Sequence, residues 1–145
     1  MSCRLTMTLV SECQEGNIGE DWKYDVEVEV RSGELQGQGS VSVAKHNLPS
    51  GIVRGPHGSP APQVLLTGEC TDDLVLSIRL VATEVDLFVN DVGEVQKELV
   101  MACPGPEGGT LTKELDIDVE VRELPQILPR KAVFTLRVRF NLACA

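Results

Sequence analysis

The sequence predicts an all-β fold, an antiparallel β-sandwich of about eight strands with Greek-key connections, and three observations lead there. Apolar and polar residues alternate with period two along several stretches, as they do when successive side chains point to opposite faces of a strand. Clusters of Gly, Pro and Ser punctuate those stretches, and no segment carries the apolar stripe of a helix. A closed barrel satisfies the same pattern. With 145 residues, the chain has the length of one domain spanning 1–145.

Taken in order, residues 4–11 form the first candidate strand. The clearest follows: Trp22, Tyr24, Val26, Val28 and Val30 share one face, and Lys23, Asp25, Glu27, Glu29 and Arg31 the other. Shorter candidates lie at 37–44, 63–67, 74–82 and 95–102. Leu115, Ile117, Val119 and Val121 alternate with Asp116, Asp118, Glu120 and Arg122, and Phe134, Leu136, Val138, Phe140 and Leu142 complete the set. On the wet face of that last strand, Arg137 and Arg139 are placed to pair with acidic neighbours across strands. Turn signals stand at Ser32-Gly33, Pro49-Ser50-Gly51, Gly55-Pro56, Pro104-Gly105-Pro106, Gly108-Gly109 and Leu124-Pro125. Residues 45–62 hold four prolines and read as a long surface connection, a type of segment that often carries function.

Composition excludes whole classes of function. Apolar residues at 42% and charged residues at 24% suit a chain with a core. Thirteen Lys and Arg against 22 Asp and Glu give a formal net charge of −9, which opposes binding to phosphate backbones, and an aromatic content of 3% leaves little for base stacking. No nucleic-acid partner is expected. No apolar run is long enough to span a membrane as a helix, and the first 13 residues lack a leader's continuous apolar core. The expected location is cytoplasmic, unless a leader has been removed. Five cysteines without a C-x-x-C pair carry neither a disulfide framework nor a zinc-finger spacing, so reduced, mostly buried thiols are expected. Cys144 suits either a solvent-facing thiol or the last core position.

Two acidic strings resemble one another: Asn17-Ile18-Gly19-Glu20-Asp21 and Asn90-Asp91-Val92-Gly93-Glu94. In the first, Glu15 and Asp21 flank a Gly-containing turn; in the second, Glu84, Asp86 and Asp91 follow an apolar strand. Brought to one end of a sandwich, these carboxylates suit a hard cation, which takes about six to eight oxygen ligands. Residues 15–30, EGNIGEDWKYDVEVEV, resemble the first calcium loop and following strand of C2 domains, and residues 84–94, EVDLFVNDVGE, resemble their third loop. Trp22-Lys23 stands where that family usually has a Pro, and Glu84 where it has an Asp. The resemblance implies a C2-like sandwich, with an Ig-like one as the alternative. It also implies Ca2+ as the cation, held by Glu15, Asp21, Glu84, Asp86 and Asp91, and docking to a membrane only through calcium. The plainer reading makes the same acids a solvated rim. Likewise Trp22, Leu87 and Phe88 suit either insertion into a partner or the core.

For an enzyme the sequence offers little. His46 and His57 fall in or beside the Pro/Gly segment and read as exposed turn residues, and no nucleophile elbow or nucleotide-binding glycine motif accompanies them. The expectation is therefore a non-enzymatic interaction module with a protein partner. Its recognition ends lie at 15–21, 45–62 and 84–91, under calcium control. A calcium-dependent phospholipid-binding domain is the second reading, and a small hydrolase using His57 the third. An exposed edge strand would also support a homo-oligomer.

Overall fold

The computed structural model describes residues 1–123 and 130–145, so the turn expected at Leu124-Pro125 lies outside the described residues. Eight strands follow one another: β1 (Cys3–Gly16), β2 (Asp21–Ser32), β3 (Leu35–Asn47), β4 (Gln63–Gly68), β5 (Leu74–Glu84), β6 (Asp91–Met101), β7 (Gly109–Arg122) and β8 (Lys131–Cys144). They form two four-stranded antiparallel sheets, ordered β4-β1-β8-β7 and β3-β2-β5-β6. The chain thus changes sheet after β1, β3, β4 and β6, the interleaving expected of a Greek-key sandwich. No helix of the described residues is long and apolar enough to cross a membrane.

The alternation in the sequence becomes the division between core and surface. Trp22, Tyr24, Val26, Val28 and Val30 face inward from β2, and Phe134, Leu136, Val138, Phe140 and Leu142 meet them from β8. Each such side chain, when fully buried, contributes about 1.5–3 kcal/mol through the apolar surface it removes from water. Trp22 is stacked on Phe134, with ring centroids 5.6 Å apart, so it belongs to the core. On the outer face of β7 and β8, Arg137 donates to Asp116 at 2.8 Å and Arg139 to Glu114 at 2.6 Å, as the cross-strand pattern predicts.

The structure departs from the sequence pattern in three places. First, β1 runs five residues past its expected end at 11, to Gly16, and its register with β8 shifts between Leu9 and Ser11. The extra residue of this β-bulge changes the phase of the alternation, so Glu12 and Gln14 face the interior. Second, β6 begins at Asp91, so the second acidic string is loop only at its start, and its Glu94 lies within the sheet, bonded to Arg79. Third, the cysteines are not reduced thiols. Cys3 is bonded to Cys144 and Cys70 to Cys103, leaving Cys13 free. Cys3 and Cys144 stand directly opposite one another in the β1–β8 ladder, a pairing created by topology across 141 residues of sequence and invisible as a motif. Cys144 is buried as the last core position of β8.

Candidate functional site

The loops after β1, β3 and β5 share one end of the sandwich, where backbone hydrogen bonds tie them together. Leu48 N–H donates to the Glu20 carbonyl at 2.6 Å, Val85 N–H to that of Asp21 at 2.7 Å, and Gly51 N–H to that of Gln14 at 2.8 Å. Gly19 sits at the centre of this knot. Its carbonyl accepts from Trp22 Nε1 at 3.1 Å and from Gln14 Nε2 at 3.3 Å.

Glu84 ends β5 and Asp91 opens β6, and the two residues are paired in the ladder. With Asp86 from the loop between them, they bring one carboxylate oxygen each within 4.8 Å of the others. Antiparallel pairing alone accounts for the first two, since adjacent strands place opposed side chains on the same face. Asp86 is oriented by its own loop: Leu87 N–H donates to Asp86 Oδ1 at 3.0 Å, and Asp86 N–H donates to Asn90 Oδ1 at 3.1 Å.

Glu84 is only 3% exposed, and its Oε2 is buried with no hydrogen-bond donor among the described residues. Burial first, and then the negative charges of Asp86, Asp91, Asp21 and Glu123, push its carboxyl up to about 7. Gly19 packs against this side chain so closely that a Cβ there would lie 2.0 Å from Glu84 Oε1. Arg130, which donates to the Asn17 carbonyl, forms an ion pair with Glu123 at 3.3 Å.

Of the five candidate ligands, Glu84, Asp86 and Asp91 therefore converge, and Asp21 lies close enough to act on Glu84 electrostatically. Glu15 does not join them. It is exposed, opposite Val133 of β8, on the outer face beside Cys13, Asp116 and Arg137. There its charge adds to burial in raising the Cys13 thiol. The bulge in β1 is the physical reason: it sends Gln14 inward and leaves Glu15 outward. Leu87 and Phe88, at the tip of the β5–β6 loop, are 91% and 95% exposed.

A second polar cluster, without a motif in the sequence, lies beneath the 48–62 loop. Glu12 is fully buried; its Oε1 accepts from the Tyr24 hydroxyl at 2.9 Å and from His57 N–H at 2.8 Å. Its Oε2 lies 2.5 Å from His46 Nε2 and 3.7 Å from Arg54 Nε. Far from being an exposed turn residue, His46 is buried in β3, with its Nδ1 2.7 Å from the Ala44 carbonyl oxygen. Its ring stacks on that of His57, 4.4 Å away. Burial, the Glu12 charge and the hydrogen bond to Glu12 all raise the Tyr24 phenol, which keeps its proton and donates. Glu12 and Arg54 also exchange both backbone hydrogen bonds, at 2.8 and 3.2 Å. Both carboxylate oxygens are thus engaged within the protein, and the cluster anchors the 48–62 loop to β1. The only sequence signal for it was a Glu and a His that interrupt alternating strands.

No protein-family model matches the chain, and a comparison with curated proteins finds no match either.

Proposed function

We propose that the chain is a non-enzymatic, C2-like binding module whose loop end takes up Ca2+ and, through it, docks on an anionic phospholipid surface. The observation that carries this reading is the unpartnered, buried oxygen of Glu84 beside Asp86 and Asp91, under a loop tip that exposes Leu87 and Phe88. Three converging carboxylates with Asp21 nearby form an oxygen-rich, hard-cation environment, and water and backbone carbonyls would supply the remaining ligands. A protein with net charge −9 is repelled by anionic lipid until a cation neutralises the contact, so calcium acts as the switch. Apolar tip residues then gain by leaving water for the interfacial region.

Calorimetry with calcium, paired with sedimentation on phosphatidylserine-containing vesicles, tests this. Calcium is expected to release or absorb heat with the wild type and much less with Asp86→Asn. Sedimentation is expected in calcium, not in chelator, and weakly with Phe88→Ser. Absence of heat at millimolar calcium would remove the metal reading. Heat without sedimentation would redirect the module to a protein partner.

A further inference from the structure

The pole opposite the acidic loops gathers four cysteines from four separate segments: the start of β1, the end of β8, the β4–β5 connection and the residues after β6. Cys3, Cys70 and Cys144 are buried, and their sulfurs lie within 4.8 Å of one another. Cys3 Sγ and Cys70 Sγ, which belong to different disulfides, are 3.3 Å apart. Cys103 is bonded to Cys70 and its sulfur lies 2.9 Å from the Cys70 carbonyl oxygen, so it adjoins this group of three from one side. Two independent disulfides have no need to touch, whereas three sulfurs gathered within 4.8 Å, with a fourth bonded to one of them, supply the four ligands of a tetrahedral thiolate site. Zinc–sulfur bonds of about 2.3 Å place neighbouring sulfurs roughly 3.8 Å apart, so side-chain rotations that part each bonded pair and bring the Cys103 sulfur inward would convert one arrangement to the other.

We propose that these four cysteines are a second, metal-binding centre, which in its reduced form holds one Zn2+ as a tetrathiolate and in its oxidised form closes as the two disulfides. The donor set is sulfur alone, which selects a soft or borderline cation over the hard one suited to the acidic end. Reduction of both disulfides by a dithiol or a phosphine takes four electrons and four protons and yields four thiols. Zinc binding then releases those four protons as four Zn–S bonds form. The metal-bound state would clip both sheets at this pole, because Cys3 and Cys144 lie on β1 and β8 of one sheet, and Cys70 and Cys103 on the connections that enter β5 and leave β6 of the other, whereas the Cys3–Cys144 disulfide joins two strands of one sheet. In a reducing compartment, where protein disulfides do not persist, the metal would hold this end closed.

The full chain, reduced with a phosphine, desalted without oxygen and titrated with Co2+, provides the test. Cobalt is expected to develop sulfur-to-metal charge-transfer absorption and the visible bands of a tetrahedral site, saturating at one equivalent and bleached by Zn2+. Cys13→Ser should leave the titration unchanged. Cys103→Ser should weaken binding by roughly 100-fold or more, since loss of even an outer partner of a ligand costs about 10–100-fold. The oxidised protein, identified by a mass lower by four hydrogens, should show no such bands. If reduction unfolds the chain, one equivalent of zinc should restore its strand circular dichroism. The proposal is overturned if the reduced wild type, folded or not, gives neither thiolate bands nor refolding at stoichiometric metal, or if Cys103→Ser titrates like the wild type.

Discussion

A carboxylate buried among other carboxylates is held at a cost unless it takes a proton or meets a cation. Glu84 is in that position, and replacing it separates stability from binding. Glu84→Gln keeps the shape and discards the charge, so the cation-free protein should gain about 1 kcal/mol in chemical denaturation while its calcium affinity falls at least tenfold. A gain in stability with unchanged calcium affinity would leave Glu84 outside the metal site. Gly19 belongs to the same unit. Its φ of 149° and its contact with Glu84 Oε1 both disfavour a side chain, so Gly19→Ala should lower stability by about 1–3 kcal/mol. The spacing of Glu84, Asp86 and Asp91 was legible in the sequence because two of them flank a single strand-to-strand connection. The burial of Glu84 was not, because it depends on Gly19 arriving from another loop.

Strand β1 shows how one extra residue redirects an element. Up to Leu9 its odd positions face the core; beyond the bulge its even positions do, which places Glu12 under the 48–62 loop and removes Glu15 from the acidic end. Strands with unbroken alternation, β2 and β8 above all, are legible in the sequence because their period alone decides which face is dry. A bulge is a change of phase with no residue type of its own, and here it lay between Leu9 and Ser11 in an otherwise ordinary run. Glu12→Gln removes the charge that gathers Tyr24, His46, Arg54 and the His57 amide. It should lower stability by about 1–3 kcal/mol and make the chain more readily cut within 48–62 by a broad-specificity protease. Tyr24→Phe, which takes away one donor and leaves the others, should have a smaller effect in the same direction, about 1 kcal/mol. Unaltered cleavage in both variants would mean that the loop is held by its backbone contacts alone.

At the scale of the whole molecule, the two poles differ in what stabilises them. One is closed by sulfur, and the other brings like charges together. The acidic pole gives the chain a characteristic response to pH. In the unfolded chain a Glu carboxyl titrates near its ordinary value of 4.5, whereas in the folded protein Glu84 titrates at about 7. Below the unfolded value both states hold the proton, and the folded state carries its full advantage. Between the two values only the folded state keeps it, and as pH rises through about 7 that advantage is lost. The metal-free protein in chelator should therefore be less stable at pH 8 than at pH 5.5, by on the order of 1–2 kcal/mol, solvent screening part of the charge of the exposed Asp86. The lowered carboxyls of Glu94, Asp116 and Glu120 act at more acid pH, and the raised phenol of Tyr24 at more alkaline pH, so neither opposes this trend within the interval. Calcium competes with the proton for the same oxygens and so should offset this pH dependence. At a concentration 100-fold above its dissociation constant it adds about 2.7 kcal/mol, and its effect should be larger at pH 8 than at pH 5.5. Thermal denaturation at the two pH values, with chelator and with calcium, for the wild type and Glu84→Gln, provides the comparison. A pH slope that survives in Glu84→Gln would assign the effect to another group, and a calcium shift of equal size at both pH values would place the cation away from Glu84.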